Sequence, residues 1–591
     1  MKKILCILLA AVIAAGSLVS CGSTLKGKER GAIINMYLST LPDTFDPSAY
    51  ALDADTSKIF SLMYMGLTVL GADGKLSGGI AYEWGGYYDS IYEEYRMYFK
   101  LRDTCWSDKI PVSADNFAFA WRRILSPKSN SPYAALLFPI KNAKAVKSGL
   151  MTDFDLGIKV VDDKRLEIIF EDDYNVDLFA ETVANIAFAP LREDKMSAKD
   201  WTTKFSITDI LSCGPFALRG YNNTYDQRKL ELVRNEFYRR SPKDDALDKY
   251  VIPYKLVCYY ETDDTDLIKA ADKFDAGEAF YLSEFLPETY NRYTGKLKSA
   301  DSLSGYVYYF NTANKLFSDA KVRNALSMAI DRSKVAEIAG CGAVAAGGFV
   351  PEGVFDTARG TSFRKVGGDV YPAADTAKAK ALLDEAGVRS GSFTITYIDE
   401  SESDINKQIA EYVAGVWSEL GFNVKTDGRP WKPNMTTDNI RSRIDNADGQ
   451  QFDVFAVDLA MGAADALAYL APFAKEYSGS PVSVDLSADT AYTPHFTGFV
   501  NADYDALADK AVYESDRKAK AELLHQMEVL LAEQCPATAL IFYKNSYTAS
   551  SKLSDYGTYY NGAPTFFKTQ LKGWREINKQ IEEAEAANNE G

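Results

Sequence analysis

Histidine is almost missing from this 591-residue chain: His495 and His525 are the only two. Two imidazoles so far apart cannot form the H-E-x-x-H helix of a zinc peptidase, and a three-histidine metal centre cannot be assembled at all. Each is read as a packing or surface residue. The Gly-x-Ser-x-Gly elbow of serine hydrolases and the Gly-x-x-x-x-Gly-Lys phosphate loop are absent too. Gly340-Cys341-Gly342 lacks the third glycine of a dinucleotide loop where it is needed, and Ser362-Phe363-Arg364-Lys365 is a short pattern that arises by chance. Carboxylate pairs abound, but nothing selects one as a glycosidase dyad. The expectation is a protein that is not an enzyme and uses no metal or cofactor.

Positive charge is in deficit as well, with 66 Lys and Arg against 82 Asp and Glu and a formal charge of −16. That field repels polyanions, so nucleic acid is not expected as a partner. No apolar stretch after the first twenty residues approaches the roughly 20 residues that a membrane span needs. Cysteines are few. Setting aside Cys6 and Cys21 near the N-terminus, Cys105, Cys213, Cys258, Cys341 and Cys535 are widely spaced and odd in number. They permit at most two bridges with one thiol left over, and read more simply as small buried hydrophobes.

What is present begins at the N-terminus. Lys2 and Lys3 precede an apolar run from Ile4 to Leu18, the layout of a secretory signal and too short for a comfortable span. The run ends in Leu18-Val19-Ser20-Cys21-Gly22, which resembles the lipobox of bacterial lipoproteins. That resemblance implies removal of residues 1–20 and acylation of Cys21, several acyl chains giving a stable hold where one gives a marginal one. The loss takes away two lysines and no acid, leaving −18. Residues 21–32 are small and polar and read as a tether. The Glu-, Ala- and Asn-rich tail, 578–591, reads as a frayed helix.

Between these ends, strand and helix patterns alternate. Phe393 to Tyr397 suits a strand. Ile405, Ile409, Tyr412, Val413, Val416, Trp417 and Leu420 then recur at helical spacing, with Asp404 able to cap the start and Gly421 to end the helix. Phe422-Asn423-Val424 follows as a strand, so the unit is βαβ and implies a parallel sheet. A second helix is expected from Val322 to Arg332, with Asp319 near its start. A third ends at Val529-Leu530-Leu531 before Pro536, and Ala539 to Tyr543 reads as a buried strand. The 37 tyrosines and 31 phenylalanines suit broad pockets and cores alike. The class is α/β with more than one lobe.

Several blocks in order resemble the family 5 extracellular solute-binding proteins, the oligopeptide- and dipeptide-binding components of ABC importers. They are Leu41 to Pro47, Met63 to Leu67, Tyr98 to Asp103 followed by Trp106-Ser107-Asp108 and Pro111 to Asp115, Cys213 to Phe216, and Arg234 to Tyr238. They continue with Phe310-Asn311-Thr312, Phe317-Ser318-Asp319, Val322-Arg323, Ala329 to Arg332, Ala379 to Gly387 and Pro536 to Tyr547. One departure is Lys109, where the family has glycine after Asp108. The resemblance implies a two-lobed fold of the periplasmic-binding-protein type II with an extra inserted domain. Lobe I would comprise 33–69, 191–305 and 541–577, the inserted domain 70–190, and lobe II 306–540. Chain crossings near Tyr308-Tyr309 and Ile541-Phe542-Tyr543 would form the hinge. Ligand would lie in the cleft, and closure would bury it for delivery to the permease. The expected protein is a monomer, outside the cytoplasm and anchored at the membrane through Cys21.

The resemblance also implies site residues. Peptide binders of this family hold the ligand's α-ammonium on an aspartate after a tryptophan in the segment that here runs from Phe452 to Ala466. The tryptophan falls on Leu459 and the aspartate on Gly462. Burying an ammonium without its partner costs about 3–5 kcal/mol. Either Asp458 or Asp465 substitutes, or the ligand has no free N-terminus there, as in a modified peptide, a sugar or another small solute. Trp431 matches a family tryptophan that lines the cleft. Tyr309 and Tyr543 at the crossings and Tyr133 complete the candidates, against core or hinge packing for each. A peptide sensor on the same scaffold would look identical in sequence.

Overall fold

The computed structural model describes residues 31–589 apart from 39–41, 43–44, 50–53, 197–209, 223–227, 240–249, 261–263, 357–359, 400–403, 430–451 and 480–494. The signal segment, Cys21 and Trp431 lie outside the described residues.

One large sheet runs through both halves of the molecule. Its lobe II half pairs Phe422–Arg429, Gly391–Ile398 and Val454–Ala460 in parallel, and the last of these runs antiparallel to Lys298–Phe310. Its lobe I half carries Ile33–Tyr37 between Tyr281–Leu282 and Lys255–Tyr259, both parallel to it, and continues through Lys229–Arg234 to Phe216–Asn222. Two 13-residue strands, Lys298–Phe310 and Ala537–Ala549, join the halves and pair with each other antiparallel. Their ladder breaks between Asp301↔Lys544 and Gly305↔Phe542. A ladder irregularity bends and twists the strand that carries it, and this one sits where the chain passes from one lobe to the other.

The βαβ unit folds as its pattern predicts. Ile405–Glu419 is a helix that buries Ile409, Ala410, Val413, Ala414 and Trp417, and the Trp417 indole donates to the Leu326 carbonyl at 2.8 Å. Its termination needs glycine: Gly421 has φ +104, and a Cβ there would stand 2.7 Å from the Arg389 carbonyl. Two local expectations are corrected. Asp404 makes no side-chain cap and itself takes a left-handed φ of 52. The helix expected over 322–332 is two helices, Ala320–Ala329 and Arg332–Ala339. Asp319 caps the first and Asp331 the second through their carboxylates, with Ile330 extended between them. A second good N-cap in mid-pattern ends one helix by starting another.

Between the lobe I strands lies a separate antiparallel sheet, in the order Ala81–Asp89, Glu94–Leu101, Arg165–Ile169, Ile158–Asp162. Its residues alternate as a half-buried strand requires. Met97, Phe99, Leu166 and Ile168 are buried on one face. The other face carries ion pairs such as Lys100–Glu83 at 2.7 Å and Arg96–Glu94 at 2.7 Å.

No disulfide joins the five cysteines among the described residues, four of them buried and Cys341 half-buried. Burial pushes the Cys213 thiol up to about 12 and those of Cys341 and Cys535 to about 11. The C-terminal helix, Trp574–Asn589, is tied to the start of the body. Asn578, fully buried, accepts from the Ile33 amide at 2.9 Å and donates to the Gly31 carbonyl at 2.8 Å. No helix among the described residues is long and apolar enough to cross a membrane.

Candidate ligand cleft

Where the crossing strands lose register, a cavity of about 400 Å³ opens between the lobes. From lobe I come Lys58, Tyr281, Glu284, Phe285, Tyr547 and Pro564; from the lobe II side come Cys341, Asp458 and Ala460; and Ser302, Ser304 and Tyr543 belong to the crossing strands themselves. The volume lies in the ordinary range for small-ligand sites. Its wall mixes aromatic rings, hydroxyls and charged groups of both signs. No cluster of His, Cys, Asp and Glu able to hold a metal ion occurs among the described residues.

Asp458 stands on Val454–Ala460, with Asp458 opposite Tyr306 in the ladder. Its carboxylate accepts from the Tyr543 hydroxyl at 2.7 Å across the hinge. Burial, and then the negative Asp458, hold the Tyr543 phenol well above its ordinary pKa. The hydroxyl therefore stays a donor, and it fixes one oxygen of Asp458 while the side chain remains on the cleft wall. Nearby, Lys544 is neutralised by Asp301 at 2.5 Å and Glu352 at 3.1 Å.

The other candidates are placed elsewhere. Asp465 lies outside this cleft, in a small cavity of about 60 Å³ lined by Glu181, Asp356, Arg517 and Lys520. One of its oxygens takes the Lys520 ammonium at 2.8 Å and the other the Leu467 amide at 2.8 Å. Burial works against the charge on Lys520, yet Asp465 holds its pKa above the ordinary value. Gly462 is buried with φ +60, and its carbonyl accepts from the Tyr560 hydroxyl of lobe I.

Tyr309 does not line the cleft. It is 4% exposed and packs against Phe496, His495 and Phe473, with ring centroids 4.9, 5.8 and 6.4 Å away. Tyr133 is fully buried against Phe188 at 6.2 Å. In both cases burial against aromatic rings gives the side chain a core position. Of the two histidines, His495 is a core residue, and burial pushes its pKa down to about 3. His525 stacks on Phe363 at 3.9 Å with Nε2 2.7 Å from Asp356.

Lys58, Glu284, Ser302 and Ser304 escape a sequence reading. Ser302 and Ser304 had a signal: Ser-Ala-Asp-Ser-Leu-Ser-Gly is too small and polar for the middle of a buried strand. Lys58 and Glu284 had none, because each sits in a segment without pattern and reaches the cleft only through the tertiary fold.

A cleft between two lobes, floored by the two strands that join them, defines a solute-binding protein. Residues 93–481, more than half of the chain, match the family model of the bacterial extracellular solute-binding proteins, family 5. The chain belongs to that family. It is 27% identical to the periplasmic murein peptide-binding protein MppA of Escherichia coli, over 85% of this chain and 86% of that one. It is also 27% identical to the dipeptide-binding protein DppE of Bacillus subtilis, over 85% of each. The solved structure of the Escherichia coli murein tripeptide-binding protein superposes with a TM-score of 0.71 at 24% identity, covering 92% of this chain and 98% of that one. The shared fold is the two-lobed type II binding-protein architecture.

Proposed function

We propose that this protein captures a peptide-like ligand in the interlobe cleft and presents it to the permease of an ABC importer, binding without turnover. The observation that carries the reading is the cavity of about 400 Å³ at the register break, walled by both lobes and holding the Asp458–Tyr543 pair. Relatives named for murein peptides and dipeptides support the ligand class. In this reading residues 1–20 are removed, Cys21 carries the lipid anchor, 21–32 is the tether, and the protein works as a monomer outside the cytoplasm. Lobe II is the 306–540 body, and 70–190 is inserted into lobe I.

Asp458 receives the ligand's ammonium, with Tyr543 orienting the carboxylate. Asp465 is committed to Lys520 and takes no part. The main chain around Gly462 runs beside the ligand, and Trp431 contributes an aromatic wall. Tyr309 and Tyr133 support the site only through packing.

A second reading, a blocked peptide or a non-peptide solute, is favoured by one feature: position 462 offers no carboxylate. Native mass spectrometry of the protein as purified separates the two. A ladder of short-peptide masses is expected, and one discrete non-peptide mass removes the peptide reading. Trp431→Ala is expected to weaken binding without lowering the melting temperature; unchanged affinity by calorimetry takes Trp431 out of the site.

A further inference from the structure

Lobe II is joined covalently to the remainder only through the two crossing strands. Segment 70–190 leaves from and returns to lobe I, so every contact it makes with lobe II is non-covalent. Those contacts share no residue with the cleft wall. They are nonetheless specific. Arg517, at the start of the Arg517–Gln534 helix, lays its guanidinium fork on Glu181, with Nη1 2.9 Å from Oε2 and Nη2 on Oε1. Lys144 reaches Asp509 at 2.8 Å, Glu476 at 2.5 Å and the Tyr477 hydroxyl at 3.0 Å. The Tyr477 hydroxyl donates in turn to Asp509, and its ring packs on Phe138 with centroids 5.5 Å apart.

The backbones meet too. Gly479 has φ +74, and a Cβ there would fall 2.4 Å from the Ser131 carbonyl. Asn185 donates to the Met461 carbonyl at 3.4 Å, just before Gly462.

We propose that segment 70–190 is a clasp for the shut molecule. Its ion pairs form when lobe II swings home on the crossing strands and break when it swings out. The proposal uses the hinge of the reading above but not the identity of the solute. Fork-on-carboxylate pairs are the stronger kind of charge-assisted bond, and these are only partly exposed, Arg517 at 25% and Glu181 at 14%. An apparent dissociation constant scales inversely with the fraction of molecules in the binding-competent state. Residues that never touch the ligand therefore set part of its affinity. Losing the Arg517–Glu181 fork is expected to weaken binding about two- to fivefold, in the upper part of what a partly exposed pair contributes.

The test is amide hydrogen exchange on the full-length, ligand-free protein. Arg517→Glu and Glu181→Arg are each expected to speed exchange several-fold in 134–147 and 471–477, and the double swap to restore protection. Raising NaCl from 0.1 M to 1 M shortens the screening length from about 10 to about 3 Å, and it should shift the wild type the same way. Strand Gly391–Ile398 should keep its protection throughout, which reports that lobe II is folded. If Arg517→Glu does not fold, Lys144→Met gives the same comparison with a smaller shift. Unchanged exchange in the folded single variants, or a double swap as exposed as the singles, overturns the clasp. Neither result bears on the solute, which mass spectrometry reads separately.

Discussion

Asp458 and Asp465 stand on one short stretch of chain and lie in two different regions, one facing lobe I and one facing segment 70–190. In the cleft, Asp458 accepts from a neutral phenol beside open volume. In the seam between lobe II and segment 70–190, Asp465 is held by the buried ammonium of Lys520, and Glu181 by Arg517, around a cavity of only about 60 Å³. One region sets a carboxylate beside open volume; the other packs carboxylates against cations. Two aspartates of the same stretch thus differ in their surroundings.

The comparison breaks most easily at Asp465. Asp465→Ala leaves Lys520 buried without its carboxylate and should cost about 3–5 kcal/mol, read by denaturant unfolding. A loss under about 1 kcal/mol would mean that the seam is not a buried electrostatic element. Asp458→Asn should do the reverse. Ligand affinity should fall about ten- to a hundredfold, equivalent to the roughly 1.5–3 kcal/mol of a hydrogen bond to a charged group, while unfolding barely moves. Equal effects at the two aspartates would erase the distinction.

His495 extends the test to a buried group with no opposite charge. Its folded pKa of about 3 lies below its ordinary value, so the unfolded chain takes up a proton first as pH falls. Stability is full above about pH 6.5 and declines below it, with about 2 kcal/mol lost at pH 5. His495→Gln should flatten that slope, and an unchanged slope would assign the acid sensitivity elsewhere. The smallest effect is expected at Lys109, which lines neither cavity. Lys109 has φ +75, a conformation that costs a non-glycine residue roughly 1 kcal/mol. Lys109→Gly should stabilise by about that much in a thermal melt without altering binding.

The regular parts of the molecule were legible in the residues, because burial writes a period into the chain. Ile409, Val413 and Trp417 mark the helix, and Phe393 and Phe422 mark its strands. The turn at Lys109 is visible as a departure from the family glycine, and the structure keeps the left-handed backbone there regardless. Tyr309 and Tyr543 show the limit. Both stand on crossing strands and look equivalent in sequence. The register break between Asp301 and Gly305 puts Tyr543 on the void, while Tyr309 enters the ring cluster of Phe473 and Phe496. Which aspartate faces a lysine likewise depends on residues far away in the chain. No local pattern carries that pairing.

The knot of Asn578 with Gly31 and Ile33, together with the late strand Ala537–Ala549 beside Tyr281–Leu282, has a consequence for biogenesis. The first half of the polypeptide cannot seal its own sheet. Closing it takes residues 537–589, one long strand, four short ones and a helix, so this sheet is completed only after most of the chain has been made.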